Sequence, residues 1–425
     1  MFFSALVLLI IGFPVAFVFG ATAVVFSVIF PEIGIEVFNF LPFRIYGIMQ
    51  NFTLMAVPLF IFMGLILEKS DLARRLLESM GKLFGRINGG LAISVVLVGA
   101  ILAASTGIVG ASVVMMSVIA LPIMVKHSYD RSLAAGAIAA SGTLGQLIPP
   151  SVVLIILGDV MSISVGDLFK AAILPGVLLI SLYLIYIVFV SWKNPHIAPS
   201  MIDETEDRKA VYKEAIYAII PPLLLILSVL GSIFFGIASP TESAAVGVFG
   251  ALILSSMNRK ISVTMVRDSA LQTVKLTGMI FMILIGATAF SLVFNELGGS
   301  EIILDFFSQE HFSKWVFIIL SMIVIFILGF FIDFVEIAFI VVPILLPVVE
   351  ELAINPLWYA VLVAMNLQAS FLTPPFGFAL FYLKGAANKL VTTMQIYKGV
   401  IPFIFLQLLA LAIIMLFPQI VTILL

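Results

Sequence analysis

The chain has no cysteine. Disulfides, thiolate nucleophiles and cysteine-ligated metals are therefore excluded. Histidine is almost as scarce. His127, His196 and His311 lie far apart in polar connections, with neither zinc-site nor triad spacing. HExxH, GxSxG and Walker A patterns are absent too, so catalysis has no visible seat and a non-enzymatic role is expected. Charge is sparse, at 10% of residues against roughly 25% in soluble chains. A net charge of -2 also excludes a strongly basic nucleic-acid binder. The first residues, Met1-Phe2-Phe3-Ser4, carry no basic n-region, and no small-residue cleavage site follows a short apolar core. Residues 1–30 therefore read as a retained membrane segment.

What the chain has is apolar length. It is 63% hydrophobic over 425 residues, with a mean hydropathy of +1.27. That is a polytopic membrane protein. Spans are expected near 1–30, 52–68, 132–160, 167–192, 213–236, 241–257, 276–295, 356–383 and 399–425. The first is long for one crossing and can also be two short tilted helices. Two further stretches, 88–125 and 313–351, are about twice one span, with polar waists at Ser105-Thr106-Gly107 and Asp333. If both are hairpins returning to their own side, 18 of the 21 Lys and Arg residues share one side. Only Arg44, Lys170 and Lys314 fall opposite. The positive-inside rule makes the rich side cytoplasmic, the N-terminus cytoplasmic and the C-terminus external. Trp192, Trp315 and Trp358 then land at interfaces, where tryptophan is favoured.

Two segments repeat each other's chemistry. Ser141-Gly142-Thr143-Leu144-Gly145-Gln146-Leu147-Ile148-Pro149-Pro150-Ser151 is matched by Gln368-Ala369-Ser370-Phe371-Leu372-Thr373-Pro374-Pro375-Phe376-Gly377. Proline removes a donor and bars the preceding residue from the helical region, so each helix must break there. Lipid tolerates such a break only where it lines a buried cavity. The landmarks recur at nearly constant spacing: 228 residues from Glu68 to Glu296 and from Ser105 to Asp333, and 225 between the Pro-Pro pairs. An odd number of spans separates the halves, so they are inverted. The expected fold is an all-α polytopic membrane protein. It is an inverted repeat with two re-entrant helical hairpins and two broken helices, and such breaks mark a midplane binding site.

Amphipathic stretches at 70–86 and 301–311 precede the hairpins and are expected to lie in the interface. The organisation follows. Residues 1–87 are scaffold and first arm; 88–166 form transport unit 1, with hairpin 1 and broken helix 1. Residues 167–312 are scaffold, with the acidic-basic linker 193–214 and the second arm. Residues 313–398 form transport unit 2, and 399–425 a C-terminal helix.

Asp333 stands out among single residues. A carboxylate at bilayer depth costs about 2.5–3.5 kcal/mol, and a bound cation offsets that. Glu336, one turn on, either shares the role or caps the helix. Ser105, Thr106 and Gly107 occupy the matching tip, and Thr143 and Thr373 sit in the breaks. Hydroxyls and unwound carbonyls suit Na⁺, while helix N-termini suit an anion. Gln146, Asn366 and Gln368 are amides that either face substrate or hold helices together. Lys384 reads as either an anion partner or a cytoplasmic anchor, and Pro240-Thr241-Glu242 as a helix start.

Together, the two breaks, the Gly329 to Asp333 segment followed by Pro343 and Pro347, and Gly236-Ile237-Ala238-Ser239-Pro240-Thr241-Glu242 resemble the large membrane subunit of tripartite ATP-independent periplasmic (TRAP) transporters. The resemblance covers essentially the whole chain. It implies an elevator-type carrier in a bacterial inner membrane, driven by Na⁺, with two or more ions and no organic cofactor. It also implies two partners besides membrane lipid, a small four-helix membrane subunit and a periplasmic substrate-binding protein. The implied cation ligands are Ser105, Thr106, Gly107, Gly142, Thr143, Asp333 and Thr373. Ser105, Thr106, Gln146, Asn366, Gln368 and Thr373 are the expected substrate contacts. The Gly-Thr-Leu-Gly-Gln form at 142–146 is similar to branches that carry dicarboxylates, 2-oxo acids or other small organic anions. The alternative is a stand-alone ion-coupled anion carrier of the same inverted-repeat architecture.

Overall fold

A computed structural model describes residues 1–106, 109–201, 208–308, 313–387 and 389–425. Among these residues the fold is helical throughout, without strands. In chain order, α1 (Phe2–Ile11) and α2 (Val15–Ile29) are parted by Gly12 in the left-handed region, so residues 1–30 are two helices. A 3₁₀ turn at Ile35–Phe40 leads to α3 (Leu41–Met49), and a bend leads to α4 (Ala56–Lys69) and α5 (Leu72–Phe84). Hairpin 1 is α6 (Gly90–Thr106) and α7 (Val109–Lys126). Broken helix 1 is α8 (Arg131–Thr143) and α9 (Val152–Val160), followed by α10 (Val165–Lys193). The second half holds α11 (Arg208–Phe234), α12 (Pro240–Met257), α13 (Val263–Glu296) and α14 (Gly299–Ser308). Hairpin 2 is α15 (Lys314–Leu328), then α16 (Phe334–Glu336), a π-helical stretch at Ile337–Val341 and α17 (Val342–Glu351). Broken helix 2 is α18 (Pro356–Leu372) and α19 (Phe378–Ala386), and α20 (Thr393–Leu416) and α21 (Gln419–Thr422) close the chain.

The repeat is written in the caps as well as in the breaks. Asp130 starts α8 by accepting from the amides of Ser132 and Leu133. Asn355, 225 residues later, starts α18 by accepting from Leu357 and Trp358. Ser164 and Thr392, 228 apart, cap α10 and α20 in the same way. Each cap satisfies donors that the first helical turn leaves free. Both Pro-Pro pairs end their helices where expected, and both contain a cis peptide bond. Ser239 and Glu242 form a capping box with Pro240 at the first helical position, so α12 starts where Pro-Thr-Glu places it.

Three expectations need correction. Residues 35–49 are helical, although Asn39, Pro42, Arg44 and Gly47 dilute their apolar pattern. The span expected at 276–295 is the second half of α13, which runs 34 residues without a break. Arg267, Asp268 and Lys275 interrupt its apolar run and masked its true start. Trp358, expected in the interfacial belt, is buried; its indole donates to the carbonyl of Ile414 at 3.0 Å and meets Trp315 edge-on. Trp192 and Trp315 are exposed.

The halves exchange packing partners. Helix α2 lies along α13 of the other half, and its counterpart α12 lies along α4. The amphipathic helix α5 buries Leu72, Leu76 and Leu77 and packs against α6 and α11. Arg75 donates to Asn258 at 2.8 Å and Lys260 pairs with Asp71 at 3.1 Å, tying this arm to the turn between α12 and α13. The second arm forms as α14, which packs on α17. Helices α8 and α20 touch backbone to backbone. A Cβ on Gly136 would collide with the Gly399 carbonyl, and one on Gly399 with the Ser132 carbonyl.

Candidate functional site

Glycines set the hairpins against the breaks. At break 1, a Cβ on Gly142 would collide with Val113 of α7, and one on Gly145 would lie 3.1 Å from the Ala103 carbonyl of α6. The arms of hairpin 1 thus hold the middle of broken helix 1, which makes the hairpin re-entrant. At break 2, a Cβ on Gly329, at the end of α15, would collide with the Ser370 hydroxyl of α18. Hairpin 2 therefore reaches the same depth from the opposite direction. Gly377 lies so close to the Phe371 carbonyl, 2.5 Å from its would-be Cβ, that no side chain fits there.

The expected site residues can now be placed. Asp333 caps α16, and its carboxylate accepts from the Phe334 amide at 2.8 Å. Glu336 follows one turn later, buried at 3% exposure, with one carboxylate oxygen unpartnered. The Thr373 hydroxyl donates to Ala369 at 2.8 Å. Asn366 donates to the Met322 carbonyl of α15 at 2.7 Å, so this amide does hold helices together. Gln146 is fully buried with neither amide atom partnered, while its backbone carbonyl accepts from the Ser151 hydroxyl at 2.7 Å. Ser105 and Thr106 belong to the last turn of α6, and Gly107 lies outside the described residues.

Thr143 meets Gln368. The Gln368 amide donates to the Thr143 hydroxyl at 3.4 Å across 225 residues, the spacing that relates the two Pro-Pro pairs. Two breaks related in this way can touch at equivalent positions only beside the pseudo-two-fold axis of the repeat. The Gln407 amide of α20 donates to the same hydroxyl at 3.3 Å, and the hydroxyl donates to Ala140 at 2.9 Å. Tyr183 of α10 lies fully buried alongside.

Sequence reasoning missed Gln407 and Tyr382. Gln407 is a lone amide inside an apolar helix, a signal that was available. Tyr382 carries no such mark. It lies on α19 within electrostatic reach of Asp333, and a Cβ on Gly110 of hairpin 1 would come within 2.8 Å of its ring. Phe331 and Phe376 meet at a tilt with ring centroids 5.4 Å apart, and both are exposed.

The site's charge is one-sided. Residues 90–125, 132–160, 315–351 and 356–383 contain no Lys, Arg or His, while Asp333 and Glu336 lie at the tip of hairpin 2. Among the described residues no three His, Cys, Asp or Glu side chains gather as metal ligands. Hydroxyls, backbone carbonyls and carboxylates are hard oxygen donors.

Comparison with known proteins agrees with this architecture. Residues 2–420 match the family described as tripartite ATP-independent periplasmic transporter, DctM component. The C4-dicarboxylate TRAP transporter large permease protein DctM of Pseudomonas aeruginosa is 31% identical, over 89% of this chain and 88% of that protein. The sialic acid TRAP transporter large permease protein SiaM of Vibrio cholerae is 28% identical, over 98% of this chain and 96% of that one. In fold, the chain is similar to the YdaH transporter of Alcanivorax borkumensis, with a TM-score of 0.64 at 14% identity, covering 91% of this chain and 89% of that one. With inverted halves, paired hairpins and two Pro-Pro breaks in a chain matched almost end to end, this protein belongs to the DctM family of TRAP transporter large permease subunits.

Proposed function

We propose that the chain carries out Na⁺-coupled uptake of a small organic carboxylate across the bacterial inner membrane. A periplasmic binding protein delivers the substrate, and a small four-helix membrane subunit completes the scaffold. The hairpins and broken helices move as an elevator against α1–α4 and α11–α13. The protein transports and catalyses no covalent step. Substrate rests against the cleft between the breaks, with Gln146 and the aromatic rim of Tyr382, Phe331 and Phe376 as contacts.

One observation carries this reading. The site has two acids and no basic side chain along the segments that line it. An anion entering beside Asp333 and Glu336 meets repulsion unless cations enter with it. Coupling is then an electrostatic requirement of the site: the ions complete the field that the substrate needs. The named relatives are described for C4-dicarboxylates and sialic acid, both carboxylates, and this supports the same charge class here.

Reconstitution with both partners tests the proposal, using succinate and N-acetylneuraminate as probes. Uptake should follow an inward Na⁺ gradient and collapse when choline replaces Na⁺ at fixed pH. Equal uptake in choline, driven by a pH gradient instead, would assign the coupling to protons. Asp333→Asn keeps size and loses charge. A carboxylate at this depth carries about 2.5–3.5 kcal/mol, so Na⁺-dependent uptake should drop by about two orders of magnitude.

A further inference from the structure

The two broken helices are equivalent in sequence and unequal in exposure. Along α9, residues 152–158 are buried, and so is break 1 from Ser141 to Leu147. Along α19, Phe381, Tyr382 and Gly385 are exposed, as are Pro375 and Phe376 in break 2. The sharpest comparison is between counterparts 225 residues apart: Ser151 is 0% exposed and Phe376 46%. The charge pattern places the far end of α19, with Lys384 and Lys389, on the cytoplasmic side and the far end of α9 outside. On the alternating-access reading, this asymmetry is that of a cleft open toward the cytoplasm and sealed outside.

The outer seal has an identifiable fastening. Asp159, at the outer end of α9, accepts from the side-chain amide of Asn51 at 2.5 Å. Asn51 sits in the bend between α3 and α4, in the scaffold. Its own amide oxygen accepts from the backbone of Thr53 and Leu54 at 2.9 and 3.3 Å, so the donor is aimed by the bend itself. The Thr241 hydroxyl of α12 donates to the Phe52 carbonyl at 2.6 Å and ties the bend to the scaffold. A cavity of about 320 Å³ adjoins the pair, lined by Arg44, Leu54, Leu284 and Thr288 among others.

Among the described residues the repeat gives this side-chain pair no counterpart on the inner side. The counterpart of Asn51, 228 residues on, is Met279, inside the unbroken helix α13. The counterpart of Asp159, 225 residues on, is Lys384, which donates to Val391 in its own loop at 3.2 Å. Only the first half has the bend, and only the bend presents the amide.

We infer that Asn51 and Asp159 form an outer latch, a positioning pair that holds the transport unit against the scaffold in the cytoplasm-open state and releases when the cleft opens outward. The inference rests on the alternating-access reading above. Neither residue touches the cation or substrate site, so the latch sets which side is open without contributing to binding.

The absence of native cysteine allows a direct test that needs neither substrate nor Na⁺. Single reporters Ser151→Cys and Phe376→Cys are placed in the full chain with its partners. An impermeant thiol reagent is applied to right-side-out and inside-out vesicles. With the latch intact, Phe376→Cys should react from the cytoplasmic face and Ser151→Cys should be inert from outside. Asn51→Ala or Asp159→Ala should each raise the Ser151→Cys rate from outside by about tenfold, the equilibrium worth of a hydrogen bond to a charged group, and slow Phe376→Cys. The double variant should go no further than either single one, because both remove the same bond. Asp167→Ala, another outer carboxylate away from the latch, should leave both rates alone. Unchanged rates in both latch variants, or additive effects in the double variant, would overturn the latch while leaving the open side as assigned. Reaction of Phe376→Cys from outside would instead overturn the sidedness on which alternating access is built.

Discussion

At the scale of single residues, the buried polar atoms near the axis matter most. The Thr143 hydroxyl serves two amides from different helices and one carbonyl of its own helix. Replacing it with the near-isosteric valine keeps the packing and strands two buried donors. An unmet buried donor costs about 1–3 kcal/mol, so Thr143→Val should lower the melting temperature of the purified protein clearly. Adding Gln407→Leu removes one of the stranded donors. The pair should therefore be less unstable than the sum of the single changes. A melting temperature unchanged by Thr143→Val would mean that the hydroxyl carries no such load. Sequence reading could single out Thr143 and Gln368, because both lie in visible breaks. It could not join them, since a contact across 225 residues leaves no local signature. Asp333 was legible for the opposite reason: one acid in a long apolar stretch is conspicuous wherever it folds.

At the scale of helices, the legible features were those with local chemistry. Both Pro-Pro pairs and the Pro240-Thr241-Glu242 start act on their own first or last turn and mark boundaries in the structure, whereas the caps Asp130, Asn355, Ser164 and Thr392 emerged only with it. The amphipathic arms were legible from their spacing. The 35–49 segment and the full length of α13 were not, because their polar residues Asn39, Arg44, Arg267, Asp268 and Lys275 sit on exposed helix faces rather than ending a helix. The close approach of α8 and α20 was equally hidden, since Gly136 and Gly399 look like any glycines in an apolar helix. Here the helices meet at their backbones. Gly399→Val should force them apart, and overpacking of this kind costs about 1–3 kcal/mol or more. The expected result is a marked fall in melting temperature and yield. Gly278→Ala in α13 is the control, because no atom lies within 4 Å of its would-be Cβ. Alanine there should be neutral or slightly stabilising. If Gly399→Val were as mild as Gly278→Ala, the backbone contact would not be a constraint.

For the whole molecule, the inverted repeat decides the topology, and charge decides its orientation. With the hairpins folding back on themselves, 18 of 21 basic residues lie on one side. By the positive-inside rule, Lys126, after hairpin 1, is expected in the cytoplasm and Glu350, after hairpin 2, outside. A single cysteine at Lys126 should resist an impermeant thiol reagent in intact cells, and one at Glu350 should react. Equal labelling at the two positions would break the inversion. The exchange of packing partners, with α2 on α13 and α12 on α4, has a related effect. Neither half encloses its own scaffold, so neither is expected to fold stably without the other. No pattern within one half forecasts that dependence, because each helix looks complete by itself.

The hydrogen bond between Thr143 and Gln368 carries one more consequence. When an inverted repeat changes state, its halves trade roles, and every contact becomes the image of its counterpart. A bond off the axis, such as Asn51 to Asp159, has its image elsewhere and must be given up. A bond joining equivalent positions is its own image. In the proposed elevator cycle it can therefore stay closed, carried along with the broken helices while contacts to the other helices are exchanged.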